Sequence, residues 1–258
     1  MKERKGISGS TLKIIAIITM LIDHIGAGVL GRLLVVRGMN EAADLNAWID
    51  ANSTLVITYQ MMRFVGRLAF PIFCFLLIEG FEHTHDVKKY ALRLLSFCLV
   101  SEIPFDLLFN GKILESGYQN VFFTLFLGLV CLTGLEAVSQ RNRNLDRKEK
   151  AKGLLLQIGI IAIVSCAAEL LKCDYGAQGI IFIAGFYIFR KSHVLQVVMF
   201  LVLYMATTGN QPPTYTMIAA FLLLLYNGKR GKWKAKYLFY WFYPIHIFVL
   251  YVIAQLFL

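Results

Sequence analysis

Long runs of apolar residues, separated by short polar breaks, recur along the whole of this 258-residue chain. Its residues are 58% hydrophobic and 16% charged, and the mean hydropathy is +0.63. Runs of roughly 15–25 apolar residues suit helices that cross about 30 Å of hydrocarbon, whereas a soluble protein would show amphipathic periodicity and more charge. The sequence therefore predicts one all-α domain over residues 1–258, a bundle of about nine transmembrane helices (roughly 8–10). The predicted spans are 12–31, 55–80, 91–108, 120–138, 153–171, 176–189, 193–208, 213–226 and 237–256.

The basic residues are distributed unevenly between the breaks. Of the 26 Lys and Arg residues, 20 lie in alternate breaks, at 2–13, 88–93, 141–152, 190–191 and 229–236. Basic loops stay on the cytoplasmic side of a membrane. The chain is therefore predicted to lie in the cell (inner) membrane, with its N-terminus in the cytoplasm and its C-terminus outside. The net charge of +10 is then a topology signal, and no nucleic-acid partner is expected. The first apolar run could be a signal peptide or a retained helix. It contains an acid and a histidine, and no small-residue cleavage site follows it, so a retained helix is favoured.

Several familiar chemistries do not fit the spacing of the reactive residues. The five cysteines are scattered without a CxxC pair, so buried thiols are expected. No HExxH, GxSxG or P-loop pattern occurs in the sequence. His83 and His85 have an HxH spacing but no further ligands nearby, so a loop pair is favoured and no metal site is predicted.

Ionisable residues interrupt four of the apolar runs, where hydrocarbon makes them costly. They are Asp23 and His24, Arg63 and Arg67, Glu102 and Asp106, and His246. At ~1.5 Å per helical residue, His24 lies ~16 Å from Lys13. By the same measure His246 lies ~15 Å from Lys236, so the two histidines are level in the membrane. Ionisable groups at such depth normally line a polar interior, and they predict a functional site.

Helical spacing predicts how these charged groups face one another. Arg63 and Arg67 are four residues apart and share a helix face, as do two acids on another run, Glu102 and Asp106. The cations and carboxylates would neutralise each other between helices. They either contribute to a ligand site or form buried ion pairs that hold the helices together, and both alternatives stay open.

Asp23 and His24 are adjacent in sequence, so their side chains diverge by ~100° on a helix and do not simply pair. Asp23 is expected to meet a cation on another helix, Arg63 or Arg67. His24 would then face the site alone, or else bind a backbone carbonyl as a structural histidine. Prolines near these groups, at 71, 104 and 244, are expected to interrupt their helices, which is tolerated where the backbone borders protein or a polar cavity.

Stretches that contain these residues also carry a family resemblance over nearly the whole chain. They are 12–13 (LK) with 20–26 (MLIDHIG), 66–73 (GRLAFPIF), 79–84 (EGFEHT), 101–105 (SEIPF), 174–176 (DYG), 225–231 (LYNGKRG), and 239–240 (FY) with 243–246 (YPIH). In them the chain resembles the TraX family of membrane proteins, named for an F-pilin acetylase. The resemblance implies a multi-pass acyltransferase that uses cytosolic acetyl-CoA as donor substrate, with no permanently bound cofactor.

The residues suit such chemistry, because acyl transfer needs a base near neutral pH and positive charge near the carbonyl oxygen. His24 is the expected base or transient acyl acceptor, Asp23 an electrostatic partner, and His246 a second acid or base. The expected substrate- or cofactor-binding residues are Arg63, Arg67, Glu102, Asp106 and Tyr243. Basic breaks at 88–93 and 229–236 would suit the anionic nucleotide of CoA.

The acceptor expected from this resemblance is an amine or hydroxyl of a membrane or envelope molecule: a protein N-terminus such as that of a pilin, a glycan or a small molecule. The lipid bilayer is the other expected partner. The rival hypothesis is a proton- or ion-coupled transporter that uses the midplane Asp, Glu, His and Arg groups as relays. A third is a non-catalytic assembly subunit, in which no single polar residue is essential.

Overall fold

A computed structural model describes residues 6–144, 146–208, 214–231 and 236–257. Within these residues the chain forms helices and turns, with no strand and two isolated bridges, Ile7 to Tyr226 and Gln119 to Cys173. The α-helices are α1 Gly9–His24, α2 Gly31–Val36, α3 Leu45–Ala51, α4 Ser53–Gly66, α5 Ala69–Glu82, α6 Val87–Phe109, α7 Val121–Arg141, α8 Arg147–Leu170, α9 Gly176–Ile188, α10 His193–Thr208, α11 Thr214–Leu224 and α12 Lys236–Phe257. A π-helical segment, Ile25–Leu30, joins α1 to α2, and short 3-10 turns lie at Met39–Glu41 and Asn142–Asn144.

Five of the helical segments in the described residues are long and apolar enough to cross a membrane. They are Gly9–Val36, Ser53–Glu82, Val121–Arg141, Arg147–Leu170 and Tyr237–Leu256. This confirms the predicted class, a helical multi-pass membrane protein. The number of spans, about nine, stays a prediction. Within the described residues, helices α9, α10 and α11 have 13, 16 and 11 residues, fewer than the ~20 that cross the hydrocarbon without distortion.

The chain forms two compact units that alternate along the sequence. The first comprises the described residues of Met1–Ile72, Ser101–Leu114 and Thr214–Leu258, and the second those of Phe73–Val100 and Glu115–Pro213. Helices α5 and α6 each begin in one unit and end in the other. All the ionisable residues singled out in the apolar runs belong to the first unit. The single-domain organisation stays a prediction.

Prolines act differently at the three predicted positions. Two residues, Arg67 and Leu68, separate α4 from α5. Pro71 has no N–H to bond the carbonyl of Arg67, so the helical hydrogen bonding is interrupted and the backbone turns between α4 and α5. Helices α6 and α12 instead continue through Pro104 and Pro244, so the expectation that these two prolines interrupt a helix is wrong. Each still leaves the carbonyl four residues earlier without its helical donor.

The second unit packs α7 against α8 and α9, and α9 against α10. Its aromatic core includes Phe186, which stacks on Phe200 with ring centroids 5.2 Å apart. Arg190, just after α9, bonds Glu82 of α5 at 3.1 Å and Glu136 of α7 at 3.0 Å. The guanidinium and the two carboxylates neutralise each other and connect α5, α7 and the end of α9. The ion pairs therefore stabilise this unit.

Candidate functional site

The two membrane histidines bond each other in the first unit. His24 is the last residue of α1, immediately before the π-helical segment, and His246 lies in the middle of α12. Nδ1 of His24 is 2.7 Å from Nε2 of His246. The second ring nitrogen of His246, Nδ1, is 2.6 Å from the carbonyl oxygen of Phe242. Three groups are therefore joined in a row, and π-helical segments often accompany functional sites.

The row of hydrogen bonds determines where the protons lie when both rings are neutral. A carbonyl oxygen only accepts, so His246 donates from Nδ1 to Phe242. Nε2 of His246 then carries a lone pair and accepts from Nδ1–H of His24. The remaining nitrogen of His24, Nε2, consequently holds a lone pair. In this tautomer His24 is a base whose ring is held by His246, as a partner group fixes a catalytic histidine.

Aromatic side chains hold the two imidazole rings in place. Phe109 and Tyr243 meet the His24 ring edge-on, with centroids 5.8 and 5.6 Å away. Phe242 stacks on His246 at 4.6 Å. His246 and Tyr243 are 7% and 2% exposed, so water has little access to the bond between the histidines. Tyr243, expected to bind substrate, contacts both histidine rings.

Asp23 forms an ion pair with Arg63 on α4, with Oδ2 and Nη1 2.7 Å apart. This confirms the expectation that Asp23 meets a cation on another helix. Gly66 permits the approach, because a Cβ at that position would overlap the Asp23 side chain. Within the described part of the chain, the other carboxylate oxygen, Oδ1, is buried without a hydrogen-bond donor. One side of the carboxylate is thus held by Arg63, and the other is packed against Gly66.

The remaining charged candidates lie in the same unit as the histidines. Arg67 caps α4, and its backbone N–H donates to the carbonyl of Arg63 at 3.1 Å. Glu102 and Asp106 on α6 are 8% and 0% exposed. Asp106 accepts at 3.0 Å from the side-chain amide of Asn110, one turn later. Neutralisation of Arg67 by these acids stays a prediction.

Sequence reasoning missed the partner of His24. The expectation that this histidine faces the site alone is wrong, because His246 binds it. A histidine bonded to a backbone carbonyl, the alternative considered for His24, does occur, but that histidine is His246. Its acceptor is the carbonyl of Phe242, four residues earlier on α12. That spacing was the available signal, since polar side chains on a helix often bond the carbonyl one turn before them.

A model of the TraX protein family matches residues 8–254. The chain belongs to the TraX family. It is also similar to a "Probable fimbrial assembly protein FimC, serogroup H1" of Dichelobacter nodosus, with 28% identity over an alignment of 275 positions that covers 97% of each chain. No solved structure matches the chain.

Stretches that carry the TraX resemblance meet at the site. The stretch 20–26 supplies His24, 243–246 supplies His246, and 66–73 begins with the glycine that adjoins Asp23. The stretch 225–231 lies in the same unit, against the start of α1. The stretch 174–176 belongs to the second unit, in a loop where Tyr175 has a left-handed backbone with φ 65°. The TraX motifs thus include a histidine pair and elements that position it.

Proposed function

We propose that this TraX protein is an integral-membrane acyltransferase that moves an acetyl group from cytosolic acetyl-CoA to an amine or hydroxyl. The observation that supports this most directly is the bond of 2.7 Å between His24 and His246. It orients a histidine whose Nε2 is a base in the neutral tautomer. Such a base is what an uncharged nucleophile needs during attack on a thioester.

The proposed reaction is a direct transfer. The lone pair of the acceptor nitrogen or oxygen attacks the thioester carbonyl carbon, while Nε2 of His24 takes the acceptor's proton. The tetrahedral intermediate then collapses, the carbon–sulfur bond breaks, and the leaving thiolate takes that proton from His24. During the step the positive charge on His24 is stabilised through its Nδ1–H bond to His246, which in turn is held by the carbonyl of Phe242.

The Asp23–Arg63 pair provides the electrostatic part of the proposal. Arg63 is a cation held by Asp23, the residue before the base, and it would oppose the negative charge that develops on the carbonyl oxygen. The carboxylate of Asp23, bonded to Arg63 and packed against Gly66, would hold that cation in position. Arg67, Glu102, Asp106 and Tyr243 would bind the substrates or position the groups that do.

The acceptor is proposed from the similar protein of Dichelobacter nodosus. Its name describes a probable fimbrial assembly protein, which supports an envelope protein such as a pilin, modified at its N-terminal amine, as the acceptor here. We place the enzyme in the cytoplasmic (inner) membrane with its N-terminus in the cytoplasm, because its basic segments lie in alternate breaks. The donor would then enter from the cytoplasm.

The test is acetyl transfer from radiolabelled acetyl-CoA by purified protein in nanodiscs, with envelope extract as acceptor. The wild type should transfer label, and His24→Ala should not. His83→Ala is a matched control, because His83 also bonds a carbonyl one turn earlier, that of Glu79 at 2.8 Å, but is exposed and belongs to the second unit. Wild-type protein that consumes no acetyl-CoA but passes protons in liposomes would overturn the proposal in favour of the transporter.

A further inference from the structure

The segment 225–231 (LYNGKRG), here called the NGKRG loop, is bound through its backbone to the start of α1. This is the helix that carries His24. Four backbone hydrogen bonds of 2.9–3.0 Å join them: Ile7 N to Leu225 O, Asn227 N to Ile7 O, Gly9 N to Lys229 O, and Ser10 N to Arg230 O. The loop is therefore an element built against α1, at the end of the helix opposite the histidine.

Glycine is required where the loop approaches most closely. Gly231 has φ 86°, and a Cβ there would overlap the hydroxyl of Ser10. The backbone donors of the first turn of α1 are already used, since those of residues 11 and 12 bond Ser8. The helix terminus itself therefore offers no donors to an anion, and any anion here would bind to side chains.

Those side chains are cationic. Lys229 and Arg230 are exposed, while their carbonyls are held by α1. Lys13, one turn further along α1, extends over the ring of Phe239 at 5.5 Å. The sequence has no acidic residue in 6–22 or in 214–231. A surface with three cations and no acid in its own segments suits phosphate groups, which Arg and Lys bind through charge-assisted hydrogen bonds.

The distance from this surface to the base matches a donor of the proposed kind. From Lys13 to His24 the helix rises by ~16 Å, and from Ser10, which donates to the Arg230 carbonyl, by ~21 Å. A Lys or Arg side chain of about 6 Å spans the difference. In CoA roughly 13 bonds separate the diphosphate from the sulfur, and such a chain spans about 15 Å when extended. The other basic break considered for the nucleotide, 88–93, belongs to the second unit. The loop belongs to the same unit as the histidine pair and is bonded to α1, the helix that carries His24.

We propose that the NGKRG loop, together with Lys13, binds the phosphate groups of the donor's nucleotide, so that the pantetheine arm runs beside α1 and delivers the thioester to His24. This inference rests on the proposed acyl transfer from acetyl-CoA. The same cations would also suit phosphate groups of lipid head groups, and the experiment separates the two sources.

The experiment compares the double variant Lys229→Gln/Arg230→Gln with the wild type and with the control Lys148→Gln/Lys150→Gln, which removes two exposed cations from the second unit. The backbone carbonyls that cap α1 are unchanged, so thermal melting should match the wild type. Calorimetry in phosphatidylcholine nanodiscs would measure the Kd of CoA, of dephospho-CoA and of pantetheine. We expect the Kd of CoA to rise about 10–100-fold in the double variant, with little change for pantetheine and none in the control.

Two results would overturn the inference while leaving the proposed function standing. One is an unchanged Kd of CoA in the double variant. The other is a loss of binding to phosphatidylglycerol vesicles with CoA binding intact, which would assign the loop to lipid. A wild-type protein that binds no CoA at all would instead refute the proposed function, so the two failures are distinguishable.

Discussion

Nδ1 of His24 lies 2.7 Å from Nε2 of His246, although 222 positions separate the two residues in the chain. The bond joins the first transmembrane helix to the last described helix. The carbonyl of Phe242 fixes the tautomer of His246, and His246 in turn orients the ring of His24. The orientation of the base therefore depends on all three groups. Such a base, on helices rather than on a loop, needs little rearrangement before it reacts.

Substitution His24→Ala should abolish most acyl transfer and leave the protein folded. His24 is half-buried and its ring contacts Phe109 and Tyr243, so its loss removes a base and costs a modest amount of packing. Transfer from acetyl-CoA should fall roughly 10²–10⁴-fold if His24 is the general base. In the wild type, transfer should also fall at acid pH, where the pair takes up a proton and Nε2 no longer accepts. Undiminished transfer by a folded variant would remove His24 from the mechanism.

Substitution His246→Ala should reduce transfer less than His24→Ala does, about 10–100-fold, because the base remains but loses its partner. The positioning role is tested by the pH profile of transfer, which should change in His246→Ala and stay that of the wild type in the control His83→Ala. A profile identical to that of the wild type would show that His246 is only structural. Thermal melting of both variants would separate loss of orientation from loss of fold.

Much of the site could be predicted from the sequence because depth follows directly from residue counts. A constant helical rise places His24 and His246 at one level, and the cost of a buried charge requires a cation near Asp23. The bond between the histidines could not be predicted, because it depends on how α1 and α12 are rotated about their axes. Hydrophobic runs carry little rotational information when helices are apolar on all faces.

The span count shows a second limit of sequence reasoning. Apolar runs predict helices, but α11, within the run 213–226, has 11 residues, and a helix of this length rises ~16 Å. Composition reports that a segment is apolar and not whether it crosses the membrane or packs within the protein. Pro104 and Pro244 likewise lie inside continuous helices because tertiary packing tolerates the lost bonds.

The ion pair between Asp23 and Arg63 should be coupled energetically. Their side chains are only 16% and 25% exposed, so Arg63→Ala leaves a largely buried carboxylate without its cation. We expect a loss of about 2–4 kcal/mol in the free energy of unfolding, below the full cost of breaking a dry pair because some water reaches it. The double variant Asp23→Asn/Arg63→Ala should lose less than the sum of the losses in Asp23→Asn and Arg63→Ala. Additive losses in chemical denaturation would show that the pair contributes no coupling.

The uneven distribution of basic residues predicts the topology. The loop at 139–152 and the N-terminus should be cytoplasmic and Leu258 outside. A phosphatase reporter, active only outside, should be active when fused after Leu258 and inactive when inserted in the loop. The reverse activity at the C-terminus would exclude an odd number of spans and place the two ends on the same side.

The glycine beside Asp23 offers a steric test with a matched control. Gly66→Ala puts a methyl group where the Asp23 side chain lies, so α1 and α4 must separate or the ion pair must break. We expect a loss of about 1–3 kcal/mol in stability and a fall in acyl transfer. Gly159→Ala, in α8, has no atom within 4 Å of the added carbon, and it should stabilise the helix by about 0.5–1 kcal/mol. Equal melting temperatures for the two variants would show that close packing at Gly66 does not position Asp23. If Gly66→Ala melts early but transfers normally at low temperature, the approach of the two helices serves stability and not catalysis.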